Sequence, residues 1–386
     1  MSRIVVFGAT GFTGRLATEA LLRHGVRPVL VGRDQARLRT LARELGGGLE
    51  TVQVRVEDPA TIAAALESGD VLVTTVGPFS RFGDAAAEAA IAAGAHYIDS
   101  AGEPGFNRRI LDHYGPQAAA TGVAMLPAFA PEWVLGSFAG GLALEKAGSQ
   151  AVRVDTGYFA VEASTGKPLG LIPLLLMFSS ASLASGTSLF GDKGFAWTDG
   201  GLVSERWGKH HRSFDVGDQR ITGLSTGGSE HLTLPQVYPQ LRDVNVYLGW
   251  FNRASAIMQA ASTIGGPLLR WPALRRALDR IVGWTTRSRR RPATSEVGRV
   301  RSLTAAIAYD EADNELASVQ VDGPHPYTAT GELLAWGAIR VSEGVVEKTG
   351  ALGPLQAFSL DELRAGCAEV GLRTSLDQGE LAPALR

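Results

Sequence analysis

The chain has 386 residues, 45% of them hydrophobic and 20% charged, so it can bury a core and is long enough for two domains. Its formal net charge of −2 argues against a protein that binds nucleic acid by neutralising phosphates. The single cysteine, Cys367, excludes an internal disulfide and a cysteine-based zinc site. The first apolar run is too short for a signal peptide, and we expect a cytoplasmic protein.

The first 126 residues alternate short β-branched runs with segments rich in alanine, leucine and arginine. We predict strands over 3–7, 28–31, 51–55, 71–75, 96–99 and 123–126, and helices over 13–24, 34–45, 59–67, 83–93 and 106–121. Alternation of this kind implies parallel strands with right-handed crossovers. We therefore expect an α/β fold with a Rossmann-type, doubly wound parallel sheet and a ligand crevice at the carboxyl ends of its strands.

The alternation ends after Pro127. We predict a helix over 131–146, a strand over 151–158, several short strands between 202 and 234, and two longer strands over 301–310 and 315–322. Such runs favour a second, α+β domain with a mainly antiparallel sheet.

Three domains follow from these elements. The dinucleotide-binding domain covers 1–127, and the α+β domain covers 128–325 with a helical excursion at 251–292. Helices within 326–386 are expected to return to the first domain, and Cys367 lies on the core face of the last of them.

Two segments of the second domain leave alternatives open. Residues 168–191 carry no charge. A membrane span needs roughly 20 continuous apolar residues, and the apolar run of this segment is shorter. We therefore expect either a buried or substrate-facing helix, or a peripheral membrane contact. Residues 270–292 are basic and form either a solvated helical excursion or a lid for an acidic carrier protein or its phosphate.

The strongest motif is a glycine-rich loop placed between the first predicted strand and helix. It reads Gly8, Ala9, Thr10, Gly11, Phe12, Thr13 and Gly14. Glycines permit the sharp turn and a close approach to a pyrophosphate, and the N–H groups at the helix start face the anion. The strand–loop–helix context supports nucleotide binding, although the spacing is G-x-x-G-x-x-G.

The end of the second strand predicts which nucleotide is bound. Arg33 stands where NAD-binding proteins carry an acidic residue that bonds the ribose hydroxyls. Its guanidinium suits the 2′-phosphate of NADP(H), and Arg37 adds a second charge. Asp58 follows the third strand and either contacts the adenine or caps the next helix.

A further turn, formed by Gly77, Pro78 and Phe79, follows the fourth strand. It is expected beside the nicotinamide ribose.

The glycine loop, the 77–79 turn followed by Gly83, and the run from His96 to Glu103 together resemble the saccharopine dehydrogenase-like reductases. The shorter, lysine-poor form of the chain resembles the branch called trans-acting enoyl reductases, which is found in polyketide lipid assembly. This resemblance covers about the first 130 residues and implies hydride transfer with NADPH. It does not cover the middle third, where the substrate is selected.

Reduction of an enoyl thioester needs a donor for the enolate oxygen. Tyr97 lies within the fifth predicted strand, and Ser100 and Glu103 follow it on the crevice side; these three are our candidates for catalysis. Their alternative is structural, with Asp99 and Glu103 capping the helix near Phe106. The spacing of the histidines matches no metal motif, so we expect no metal.

We therefore expect an NADPH-dependent reductase of the C=C bond of an acyl or polyketide-type substrate, either free or on an acyl carrier protein. One alternative is a saccharopine- or opine-type enzyme that acts on the C=N bond of amino acids. Another is a non-catalytic, membrane-associated NADP-binding protein. A homodimer is left open, and no nucleic-acid partner is expected.

Overall fold

The computed structural model describes residues 2–170, 194–216, 219–250, 255, 259–260, 263 and 298–378. The predictions for 168–191 and 251–292 therefore lie almost wholly outside the described residues. The chain divides into two compact units. One comprises Met1–Ala130 with Tyr327–Ser359, and the other comprises Pro131–Pro326 with Leu360–Arg386.

The described strands are β1 Ile4–Phe7, β2 Val29–Gly32, β3 Thr51–Gln53, β4 Val71–Thr74, β5 His96–Asp99, β6 Ala124–Leu126, β7 Arg153–Glu162, β8 Gly194–Thr198, β9 Gly201–Glu205, β10 His211–Val216, β11 Gln219–Ser225, β12 Asp243–Leu248, β13 Val300–Tyr309, β14 Glu315–Gly323, β15 Gly350–Ala351 and β16 Arg373–Thr374.

The described helices are α1 Phe12–Arg23, α2 Gln35–Glu44, α3 Pro59–Ala63, α4 Phe79–Ala93, α5 Pro104–Arg109, α6 Gly115–Ala120, α7 Pro131–Ala147, α8 Glu230–Val237, α9 Pro326–Ser342, α10 Pro354–Ala357, α11 Leu360–Glu369 and α12 Ser375–Gln378. A π-helical turn, Ile110–Tyr114, joins α5 to α6. Among the described residues, no helix is both long and apolar enough to cross a membrane.

The first unit is built on a parallel sheet of seven strands in the order β15-β6-β5-β4-β1-β2-β3. Its central strands are apolar and fully buried because helices cover both faces of such a sheet. The first six strands stand in the doubly wound order that the sequence predicts, and β15 adds an edge strand that it did not. The carboxyl ends of β1, β2, β4 and β5 line one edge, where ligands bind in this architecture.

The second unit has a mixed, mostly antiparallel sheet in the order β10-β11-β12-β7-β13-β14-β16, with the β8–β9 hairpin attached to β12. β7 pairs with β13 antiparallel over ten residues. β12, which the sequence analysis missed, pairs with β7 in parallel. The predicted fold class, with a mainly antiparallel second sheet, is confirmed.

Two assignments in the second unit were wrong. The predicted strands extended to 234, whereas the structure has helix α8 from Glu230 onwards. The alternation at 230–234 is also compatible with one short helix. The segment from 360 onwards belongs to the second unit instead of returning to the first. Leu372 packs against Gly323, and β16 pairs with β14. Cys367 is buried, as predicted.

Candidate nucleotide site of the first unit

The glycine loop is held at the end of β1 by backbone bonds. Gly8 has a φ of +88°, which favours glycine, and its N–H donates to the Val31 carbonyl at 2.9 Å. The Gly11 N–H then donates to the Gly8 carbonyl at 2.8 Å. These bonds turn the chain sharply from β1 into α1.

Gly14 brings the first turn of α1 against the loop. A methyl group built on Gly14 would lie 2.8 Å from the Gly8 carbonyl carbon and 2.9 Å from the Ala9 Cα, closer than real side chains approach backbone. Gly11 is the N-cap of helix α1, which has no side chain capping its N–H groups and no acidic residue in its first turn. An anion such as a pyrophosphate fits here, because these donors and the helix dipole both favour negative charge.

A helix distant in sequence packs beside this loop within the same unit. The Tyr327 ring meets the Phe12 ring edge to face, with centroids 5.1 Å apart. A methyl group on Gly331 would lie 2.9 Å from the Leu16 Cβ, so α9 approaches α1 closely. Sequence analysis placed α9 in this unit but did not identify Tyr327 as a neighbour of Phe12, because no local pattern links residues so far apart.

Arg33 and Arg37 lie beyond the end of β2 and are exposed. Within the described ranges, neither guanidinium pairs with a carboxylate. The neighbouring Asp34 caps α2 by accepting the Arg37 backbone N–H at 3.1 Å. The Gln53 amide donates to the Arg33 carbonyl at 3.0 Å, which holds the backbone of Arg33 at the strand end. Both cations therefore remain available to a phosphate.

Asp58 has the capping role that the sequence offered as one alternative. Its carboxylate accepts the N–H groups of Ala60 at 3.1 Å and Thr61 at 3.4 Å, at the start of α3. The Arg55 guanidinium also donates to it at 2.9 Å and holds the pKa of the Asp58 carboxyl below its usual range. A contact between Asp58 and an adenine stays a prediction.

Glu103 connects the end of β5 to the start of α4. Its buried carboxylate accepts the N–H of Phe79 at 2.7 Å and of Ser80 at 2.9 Å. This distant cap explains why α4 starts at Phe79 and not at 83 as predicted: satisfied donors at its N-terminus extend the helix. Pro78 precedes the helix, after Gly77, and the Phe79 ring packs at 5.6 Å from the Phe106 ring in the core.

Glu103→Ala is expected to lower the free energy of unfolding by about 2–4 kcal/mol, because two buried N–H groups lose a charged acceptor. Urea denaturation measures this change. Glu57→Ala is the matched control, since the exposed Glu57–Arg81 pair contributes little. Equal stabilities for the two variants would contradict the capping role of Glu103.

The other two predicted catalytic residues differ in their exposure. Tyr97 is fully buried, and its hydroxyl donates to Asp99 at 2.7 Å, so it faces the core and not the crevice. Ser100 is partly exposed just after β5. Of the three candidates, Ser100 alone is partly exposed.

Asp99 has a structural role at the same strand end. Its carboxylate accepts the N–H groups of Ala101 at 2.8 Å and Ala128 at 2.7 Å. Burial raises the pKa of Asp99 to about 6. The bond to Ala128 holds that residue at a φ of +55°, a conformation that costs energy for a residue with a Cβ.

The described residues contain no group of three or more histidine, cysteine or acidic side chains arranged to hold a metal ion. His231 and His325 are buried, and burial lowers the pKa of each ring to about 4. Both rings are therefore neutral at physiological pH.

Comparison with known proteins supports the nucleotide site. A family described as the saccharopine dehydrogenase NADP binding domain matches residues 4–125. A relative from Mycobacterium tuberculosis, named provisionally as a trans-acting enoyl reductase, is 41% identical over 130 residues, 32% of this chain and 31% of the relative. The Mycobacterium leprae trans-acting enoyl reductase is 38% identical over 128 residues, 32% of this chain and 31% of that protein.

The whole fold is similar to a solved structure. Apo saccharopine dehydrogenase (L-Glu forming) from Saccharomyces cerevisiae superposes with a TM-score of 0.59 at 12% identity, over 97% of this chain and 99% of that one. At this identity the likeness shows the fold alone. The chain spans about a third of the length of the curated relatives that it matches. Residues 4–125 match the saccharopine dehydrogenase NADP binding domain, and this match indicates NADP(H) as the coenzyme of the first unit.

Proposed function

We propose that the protein is an NADPH-dependent oxidoreductase that reduces a C=C bond of an acyl or polyketide-type substrate. The observation that carries this proposal is the 38–41% identity, through the whole nucleotide-binding region, to proteins named trans-acting enoyl reductases. The guanidiniums of Arg33 and Arg37 are exposed and pair with no carboxylate in the part of the chain that the structure describes, which supports the choice of the phosphorylated coenzyme.

Each part of the first unit has a task in this proposal. The loop from Gly8 to Gly14 binds the pyrophosphate, Arg33 binds the 2′-phosphate, and the strand ends keep the reacting carbon of the substrate near the coenzyme. NADPH, when bound, supplies the hydride. The Ser100 hydroxyl is the partly exposed donor that we propose for the developing oxyanion.

The test is turnover with an α,β-unsaturated acyl thioester, presented free and on an acyl carrier protein. We expect the absorbance of NADPH to fall and the product to gain one hydride and one proton across the former double bond. A saturated thioester is the control and should leave NADPH unchanged.

Two further results of these assays would favour the alternative functions. Consumption of NADPH with a keto acid and an amine, but not with the thioester, would indicate C=N chemistry. Tight NADPH binding without turnover of any of these compounds would favour a protein that only binds the coenzyme. Either result would contradict the proposed reaction.

A further inference from the structure

A second group of polar side chains lies inside the second unit, and we call it the acidic cluster. Tyr158 of β7 hydrogen-bonds through its hydroxyl to the Glu230 Oε1 at the start of α8. Both residues are buried. The acidic cluster also contains Glu132, Trp133 and Ser137 from the first turns of α7, and Ser229 next to Glu230.

Two glycines show how tightly the acidic cluster is assembled. A methyl group on Gly136 would lie 2.7 Å from the Tyr158 Cζ and would overlap the Glu230 Oε1. A methyl group on Gly228 would lie 3.0 Å from the Trp133 Cζ3 and would overlap the Glu230 Oε2. The carboxyl group of Glu230 therefore lies between α7 and the turn before α8. A side chain at position 136 or 228 would occupy the same space.

Four buried polar atoms of the acidic cluster have no hydrogen-bond partner among the described residues: Trp133 Nε1, Ser137 Oγ, Ser229 Oγ and Glu230 Oε2. Their residues are at least 95% buried. Buried polar groups in native proteins almost always have a partner. These four atoms indicate a site built for a polar group that the described residues do not supply.

The protonation state of Glu230 decides what the acidic cluster offers. Burial raises the pKa of Glu230 to about 8, so the carboxyl is neutral at pH 7. Because Tyr158 donates to Oε1, the carboxyl proton lies on the unpartnered Oε2. The Trp133 N–H is a donor, and the two serine hydroxyls can also donate.

The titratable neighbours of Glu230 do not reverse this assignment. Tyr158 has a pKa well above its usual value because it is buried, and burial also raises the pKa of Glu132. The His231 ring is neutral. On β12, Val246 faces the acidic cluster, whereas Asp243 and Tyr247 alternate to the other face of the sheet. Among the described residues, the acidic cluster is thus rich in donors and contains no positive side chain.

We propose that the acidic cluster binds one hydrogen-bond-accepting oxygen of a ligand, a carbonyl-type oxygen, with the Glu230 Oε2–H as its donor. The ligand class rests on the proposed function, since an acyl thioester presents such an oxygen. A free carboxylate presents the same chemistry, and the experiment below separates these two sources.

The experiment measures the Kd of a saturated acyl thioester, and separately of the matching free acid, for the full chain loaded with NADPH. Neither ligand has a double bond for NADPH to reduce, so no turnover occurs in this mixture. We expect wild-type affinity to be constant below pH 8 and to fall about tenfold per pH unit above it, as Glu230 loses its proton. The ligand with the lower Kd identifies the source of the oxygen.

Two variants isolate the donor. Glu230→Gln keeps an N–H at the Oε2 position and should bind within about threefold of wild type, without the pH dependence. Glu230→Leu removes the donor and should bind about 10–100-fold more weakly. Glu145→Gln removes an exposed carboxylate from the far end of α7 and should match wild type at every pH.

Three outcomes overturn the proposal: no measurable binding of either ligand by wild type, wild-type affinity that does not change across pH 8, or unchanged affinity in Glu230→Leu. If the leucine variant does not fold, the wild-type and glutamine pH curves still decide. If NADPH turnover fails but the pH-dependent binding is found, the proposed reaction is wrong and this site stands.

Discussion

Gly14→Ala is expected to weaken NADPH binding by about 100-fold. The added methyl group would overlap the Gly8 carbonyl oxygen and lie 2.8 Å from its carbon. The obstacle is backbone, so no side-chain rotation relieves it. The loop must move away from the start of α1, and the N–H groups that face the pyrophosphate lose their alignment.

Titration of NADPH, followed by its fluorescence, measures this change. Gly102→Ala is the matched control, because a methyl group there has no heavy atom within 4 Å and its φ is not positive. Gly102→Ala should bind NADPH as wild type does. Similar affinities for the two alanine variants would show that the glycine loop does not hold the coenzyme.

Arg33→Ala is expected to raise the Kd for NADPH by about 10–100-fold and to leave the Kd for NADH unchanged, because only NADPH carries the 2′-phosphate that this guanidinium would pair with. Arg33→Asp should go further and favour NADH, since a carboxylate at this strand end accepts the ribose hydroxyls and repels the phosphate.

The measurement is the ratio of the two dissociation constants in each variant. Arg39→Ala is the control: Arg39 is exposed on α2 like Arg37, but two residues further on it points to the opposite side of the helix. A loss of affinity for NADH equal to that for NADPH in Arg33→Ala would contradict the assignment of the 2′-phosphate to this residue.

Two features of the second unit were not predicted from the sequence. β12 went unpredicted, and its parallel pairing with β7, about ninety positions earlier, is a contact that no local pattern specifies. The acidic cluster was not predicted from the sequence either, because Tyr158 and Glu230 lie on a strand and a helix that only folding brings together. Neither residue belongs to a local motif, and burial, which raises the pKa of Glu230, is a property of the assembled unit.

The sequence by itself determined the features that depend on near neighbours. Alternation of strand and helix specified the parallel sheet, and the glycine spacing specified the turn from β1 into α1. The position of Arg33 after β2 predicted NADP(H), the coenzyme that the family match also indicates. Tertiary structure alone decided where the polar groups of distant segments meet. Glu103 caps α4 from 23 residues away, and Tyr97 turns inward to Asp99. The physical reason is that turn geometry and strand periodicity are local, whereas the partner of a buried donor is chosen by packing.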